Sequence, residues 1–232
     1  MKKINIAIDG PAGAGKSTVA KLVAEKLNYV YIDTGAMYRA LTWQALQEKL
    51  DVHEEADLVA CLDRVTISFL PDGKSQRVLV NGRDVTSEIR TREVTAQVSV
   101  VAAHPKVRER MVQLQKKLAA HKGVVMDGRD IGTHVLPDAE LKIYLSASID
   151  ERAKRRYLEL KQTGSEQSLA EIKEEMIRRD EADMNREFAP LTKASDAIEL
   201  DSTGLAIEQV VSSIINLAQY QLNKSGEEKK EY

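Results

Sequence analysis

The chain has one cysteine, one tryptophan and two phenylalanines among its 232 residues. The lone Cys61 excludes a disulfide framework, and its setting in VACLDRV is that of a small core filler on a helix, which fits a reducing compartment. An excess of one charge is missing as well: 34 basic against 36 acidic side chains leave a formal net charge of −2. No general attraction to nucleic acid or to an anionic membrane is therefore expected, and any anion must be held by a local arrangement. Long apolar runs are absent. MKKINIAID opens with two lysines, but its hydrophobic stretch stops at Asp9 and Gly10, too short for a signal sequence or a membrane span, so a soluble cytoplasmic protein is expected. His53, His104, His121 and His134 have no ligand spacing, and no zinc site is expected.

What is present is 43% apolar, enough for one core. Short β-branched runs recur at 4–9 (INIAID), 29–33 (YVYID), 123–127 (GVVMD), 141–145 (LKIYL) and 197–200 (AIEL), separated mostly by helical patterns. Continuous apolar strands alternating with helices predict an α/β fold with a parallel five-stranded sheet covered on both faces. A first helix from about Lys16 to Leu27 and a last from Leu205 to about Leu222 carry apolar faces for that sheet. The gap of about ninety residues between the second and third runs exceeds a crossover helix, so an insertion is expected at 34–121. It contains a hairpin pattern, TISFL and RVLVNG around a PDGKSQ turn, then helices over about 86–101 and 106–121. A second excursion before AIEL holds two S-x-x-E capping patterns, Ser148 with Glu151 and Ser168 with Glu171, predicting two helices joined around Gly164. The tail NKSGEEKKEY reads as charged and frayed.

Gly10-x-x-x-x-Gly15-Lys16-Ser17 matches the phosphate-binding P-loop pattern and lies between an apolar strand and an amphipathic helix. Glycines let backbone N–H groups curl round phosphate oxygens, and the helix N-terminus adds unpaired donors and positive dipole. Lys16 would bridge the terminal phosphates and Ser17, or the adjacent Thr18, would ligate Mg²⁺. A P-loop needs a second acid to steer the metal, mostly through water. Asp127, at the end of GVVMD, is preferred, and Asp33, at the end of YVYID, competes.

A GTPase, with water as the acceptor, is disfavoured. NKSG lacks the aspartate of a guanine-reading motif, and in TKASD Asp196 falls one position late. Arginines point instead to a second phosphate-bearing substrate. Gly128-Arg129-Asp130 follows Asp127; Arg152, Arg155 and Arg156 cluster on one predicted helix, and Arg179, Asp183 and Arg186 fall at i, i+4 and i+7 on the next, with Phe188 and Pro190 as its end. With ten basic and ten acidic residues over 151–193, composition alone would also describe a solvated helix face.

GPAGAGKST, YIDTGAMYR, VTSEIRT, VAAHPKVRE, DGRDIGT, FAPL and LDST, in this order over about residues 4 to 203, resemble bacterial cytidylate kinase, the CMP/dCMP kinase branch of the nucleoside monophosphate kinases. The resemblance implies a P-loop core (1–33, 122–149 and 191–222), an NMP-binding region with an antiparallel insert (34–121) and a lid with an acceptor-site arginine helix (150–190), leaving the tail at 223–232. ATP would lie on Gly10, Pro11, Ala12, Gly13, Ala14, Gly15, Lys16, Ser17 and Thr18. CMP would be held by Thr34, Tyr38, Arg39, Ser99, Arg108, Arg129, Asp130, Arg179, Asp183 and Arg186, with Arg39 on the monophosphate and Ser99, Arg108 and Asp130 on the cytosine edge. Transfer would rely on Lys16, Arg129, Arg152, Arg156, Arg179 and Arg186. The implied partners are ATP and CMP or dCMP, with Mg²⁺ as cofactor and a monomeric enzyme. On the residues alone, Thr34 could equally cap a helix, Ser99 face solvent and Arg108 belong to a KVRER surface. The rivals are a kinase for UMP or another small metabolite, and a P-loop sensor that binds a protein through 34–121; the absence of DGFPR disfavours AMP.

Overall fold

The chain follows the strand–helix alternation of its apolar pattern. In the computed structural model, which describes residues 2–72, 75–162, 164 and 166–227, the elements in chain order are β1 (Asn5–Asp9), α1 (Lys16–Leu27), β2 (Val30–Asp33), α2 (Thr34–Gln47), α3 (Glu55–Arg64), β3 (Ile67–Asp72), β4 (Ser75–Val80), β5 (Arg83–Asp84), α4 (Arg92–Val101), α5 (Pro105–Ala119), β6 (Val124–Gly128), β7 (Leu141–Ser146), α6 (Ile149–Gln162), α7 (Leu169–Asn185), β8 (Ile198–Asp201) and α8 (Ile207–Glu227). A 3₁₀ turn lies at Glu88–Arg90 and a single π-helical turn at Ile131–Val135. The chain divides into two compact units, Met1–Ile32 with Ala119–Tyr232, and Asp33–Leu118.

The first unit is built on a five-stranded sheet in the order β2-β6-β1-β7-β8. β1 is fully buried between β6 and β7, and the parallel register opposes Asp9 to Gly128 on one side and to Tyr144 on the other. The loops that leave β1 and β6 therefore start at the same edge, the end of a parallel sheet where α/β proteins place ligands. Ile4, Ile6, Ile8, Ile143 and Leu145 pack against Val19 and Val23 of α1 and Val210, Val211 and Ile214 of α8. The predicted first helix has the bounds expected of it. The last one runs on to Glu227 instead of ending near Leu222, because a tail expected to fray continues the helix; 228–232 lie outside the described residues. Among the described residues no helix is long and apolar enough to cross a membrane.

The second unit packs α2 on a three-stranded antiparallel sheet, β3-β4-β5, around Ala40, Trp43, Val78, Val80, Val85 and Ile89. Its hairpin is tighter than the PDGKSQ turn suggested. Pro71 pairs with Gln76 and Asp72 with Ser75, so most of that stretch joins the ladder; Gly73 and Lys74 lie outside the described residues. The two-residue strand β5 was invisible to a periodicity argument. Cys61 is buried on α3, as a core filler should be.

Candidate active site

The phosphate loop is shaped by glycine where the backbone leaves no alternative. At Gly10 (φ +147°) a methyl would run into the carbonyl oxygen of Leu145 on the neighbouring strand, and at Gly13 (φ +73°) into the Met176 side chain of α7. Other groups then fix the loop from outside. The Ala12 N–H donates to Asp180 Oδ1 (3.0 Å), and Arg152 donates to the Ala12 carbonyl (2.8 Å) and to Asp180 Oδ2 (2.6 Å). Both side chains of that ion pair are about nine-tenths buried. Ala12 also packs with Ala153, Ile172 and Met176, so α6 and α7 grip the loop by apolar contact as well. Ser202, of the LDST stretch, reaches the Ala14 carbonyl (3.4 Å) and is itself held by Arg155, which donates to its carbonyl (2.8 Å).

Arg152, expected among the arginines that neutralise phosphate, donates to Ala147, Ala12 and Asp180, three protein acceptors. Arg156 pairs with Glu159 (3.1 Å) and remains half-exposed, yet lies close enough to Arg179 to oppose its charge.

Gly15 is the N-cap of α1 and has no side chain with which to cap it, so among the described residues no N-cap side chain takes up the first-turn N–H groups, the donors that suit an anion. Lys16 is buried beside it, donating to the Pro11 carbonyl (2.7 Å). Ser17 Oγ donates to Asp127 Oδ2 (2.8 Å), whose other oxygen accepts from Tyr31 (2.9 Å). A hydroxyl and a carboxylate brought together at the root of the loop form the hard oxygen donor set that suits Mg²⁺. Asp33 caps α2, accepting from the Ala36 N–H (2.9 Å), and faces Arg90 (3.6 Å).

The sheet end also gathers charge. Arg129 Nε donates to Asp183 Oδ2 (2.8 Å), Arg186 meets Asp130 (3.2 Å) and Asp183 (3.7 Å), and Arg179 lies among them with a buried Nε that has no hydrogen-bond partner among the described residues. Burial pushes the Lys16 ammonium down to about 7, with Arg129 adding to the effect and Asp127, Asp9 and Asp183 opposing it. Burial and then Arg129 likewise lower Arg179. For Arg129 burial works in the same direction, but Asp183 outweighs it and the guanidinium is held above its ordinary value. Asp183, raised by burial, is carried below the usual carboxylate range by Arg129. Burial first and the neighbouring Arg129 second thus make Lys16 and Arg179 more ready to give up a proton, while Asp183 offsets the same burial at Arg129. Arg186 corrects the predicted helix. α7 stops at Asn185 and Arg186 is already extended (φ −65°, ψ 142°), reaching the cluster from beyond the helix end, where the Leu191 N–H folds back on the Asp183 carbonyl (2.8 Å).

In the second unit, Thr34, Tyr38 and Arg39 lie on α2, Ser99 on α4 and Arg108 on α5. The Arg108 guanidinium stacks over the Tyr38 ring (5.4 Å to its centre), and Arg39 donates to Thr95 (2.8 Å). The surface reading of Arg108 is overturned: at 1% exposure it is among the largest fully buried side chains. Thr34 is not the cap of α2, since Asp33 fills that position, and Ser99 is half-buried.

Residues 6–220 match the cytidylate kinase family model. The chain belongs to the cytidylate kinase family. It is 56% identical over 216 residues to cytidylate kinases of Bacillus cereus and Bacillus anthracis, covering 93% of this chain and 96% of each relative. A crystal structure of an uncharacterized protein from Eubacterium ventriosum shares the fold at 15% identity, with a TM-score of 0.54 over 94% of this chain and 99% of that one. Within this cytidylate kinase family chain, sequence reasoning missed Asp9, Asp180 and Ser202, and left Arg155 without a task. Asp9 carried a signal, as an acid ending an otherwise apolar buried strand, and Ser202 lay within the LDST motif; Asp180 carried none.

Proposed function

We propose that the chain transfers the γ-phosphoryl group of ATP to CMP, giving ADP and CDP, and that dCMP is also accepted. The family membership supports the reaction, and the observation that carries it is the gathering of Arg129, Arg179 and Arg186 beyond the sheet end, with a buried Arg179 Nε that has no hydrogen-bond partner among the described residues. ATP and CMP together bring about six negative charges, since a phosphate monoester has its second pKa near 6. Lys16, Arg129, Arg179 and Arg186 would neutralise that charge and align an acceptor oxygen with the γ-phosphorus, which is positioning and electrostatics more than covalent chemistry. Because the CMP phosphate is already ionised at neutral pH, no general base is needed. Ser17 and Asp127 would hold Mg²⁺, which when bound supplies further neutralisation of the triphosphate. Asp130 would accept from the cytosine N4 amino group, since a carboxylate can only accept there. Ser99 and Arg108 would read the rest of that edge, Arg39 the monophosphate, and Thr34, Tyr38 and Asp183 the remaining acceptor contacts. α6 and α7 would serve as the lid, excluding water and limiting ATP hydrolysis.

A coupled ADP assay across CMP, dCMP, UMP and AMP tests this reading. Turnover should depend on CMP or dCMP, whereas ATP hydrolysis indifferent to any monophosphate would end it. Asp130→Ala should raise KM for CMP about tenfold or more with little change for ATP; equal losses for both would remove its role as base reader.

The depressed Lys16 gives a second check with a defined sign. With its pKa at about 7 in the free protein, Lys16 is largely neutral at pH 8 and charged at pH 6. A bound triphosphate favours the charged form, so binding a non-hydrolysable ATP analogue should take up about one proton at pH 8 and almost none at pH 6. Calorimetry in buffers of different ionisation enthalpy measures the uptake, and proton release at pH 8 would contradict it.

A further inference from the structure

Asp9 is a buried carboxylate to which the phosphoryl-transfer reading gives no task. It ends β1 immediately before Gly10 and is 5% exposed. Burying an ionised carboxylate is costly, and burial pushes this one up to about 6, opposed by the Gly132 and Ile131 N–H groups. Its two oxygens are fully directed. Oδ1 accepts from the Ile131 N–H (2.8 Å) and Oδ2 from the Gly132 N–H (2.7 Å). These are the first two N–H groups of the π-helical turn Ile131–Val135, groups that the turn's own carbonyls cannot serve. Asp130 occupies the N-cap position of that turn but makes no side-chain cap bond there; its carboxylate is turned to Arg186 instead. Its carbonyl accepts from His134 (2.9 Å) and Val135 (3.2 Å), so the backbone of Asp130 is part of the turn that Asp9 holds.

We infer that Asp9 is a positioning residue for the acceptor base: by taking over the capping task from another strand it fixes the turn that carries Asp130 and releases the Asp130 carboxylate to face substrate. The inference rests on the reading of Asp130 as the cytosine reader. Its physical content is a division of labour. An ordinary N-cap aspartate turns its own side chain back onto the N–H groups of its helix. Here that side chain is needed elsewhere, and the strand pairing of β1 with β6 brings a second carboxylate to the same two donors. Gly132 belongs to the device, since a methyl there would lie 3.3 Å from Asp9 Oδ2 and 3.2 Å from Cδ of Lys142, tighter than either neighbour tolerates without moving.

Asp9→Asn keeps the shape but sets an amide NH₂ against one backbone N–H, leaving that buried donor unpaired. KM for CMP should rise about tenfold and the preference for CMP over UMP should fall by a similar factor, while the dissociation constant of AMP-PNP stays within about twofold. A folded Asp9→Asn enzyme with unchanged KM and preference overturns the inference. So does a parallel loss of CMP and AMP-PNP binding, which would make Asp9 a support of the phosphate loop. Gly132→Ala disturbs the same contact with the carboxylate retained and no positive φ to strain, and should give a smaller shift of the same kind; an unchanged preference there counts against the inference even if Asp9→Asn does not fold. Asp130→Ala, run alongside, separates the two failures. If it abolishes the CMP preference while the Asp9 and Gly132 variants keep it, only the positioning role falls; if it spares the preference, the reading of Asp130 falls first.

Discussion

Lys16→Ala is expected to lower kcat about a thousandfold while leaving CMP binding almost unchanged. The lysine carries a single charge at the place where charge develops on the transferring phosphoryl group, and the protein keeps that charge buried at a cost visible in its depressed pKa of about 7. Little of the loop's shape depends on it. Among the described residues its ammonium donates to the Pro11 carbonyl alone, whereas Ala12 is tied to Asp180 and Arg152 and Ala14 to Ser202. Alanine is also well suited to the first turn of α1. The variant should therefore fold, with a midpoint of thermal unfolding no lower than that of the parent, because a buried ammonium is removed with only one bond. Steady-state kinetics at saturating CMP, with calorimetric titration of CMP, tests the separation. A CMP affinity that fell in proportion to kcat would mean that Lys16 organises the site and does not act on the transferring group.

The contrast between Lys16 and the groups that hold its loop shows what was readable in the sequence. The P-loop, the five strands and the capping box at Ser168 and Glu171 are local patterns, resolved within a few residues by spacing alone, and the structure has them where the spacing put them. Asp127 was legible for a similar reason: a polar residue ending a buried apolar strand beside the loop has few alternatives, and it meets Ser17. The supports were not legible. Asp9 meets Ile131 across 122 residues, Asp180 meets Ala12 across 168, and Ser202 meets Ala14 across 188. Such pairs follow from sheet register and helix docking, neither of which has a signature in residue spacing. The same limit explains what spacing left out. It cannot say which arginine of α6 points at Ala12, a place that Arg152 takes, and Arg186 seemed to extend the helical face because i, i+7 spacing persists whether or not the helix does.

Asp180→Asn should be the most destabilising of the conservative changes near the loop, and it distinguishes stability from positioning. Removing one member of a buried ion pair leaves the other desolvated and uncompensated, a loss of about 3 to 5 kcal/mol. Asp180 and Arg152 meet that condition, with side chains only 10% and 9% exposed and an N···O distance of 2.6 Å. Replacing both partners with apolar residues of similar volume is a different experiment, since such pairs can be exchanged at little cost or even with a gain. The double variant Arg152→Met with Asp180→Leu is therefore expected to recover part of the unfolding free energy in urea, short of the parent because the buried N–H and carbonyl of Ala12 lose their partners. It should not recover activity. Both polar groups of the Ala12 peptide unit lose the side chains that now hold them, so the loop would be free to move by the fraction of an ångström that phosphoryl transfer does not tolerate. kcat should remain at least about tenfold below that of the parent in the double variant. Recovery of stability and rate together would show that the pair only balances its own charges and that the apolar contacts of Ala12 with Ala153, Ile172 and Met176 are sufficient to set the loop.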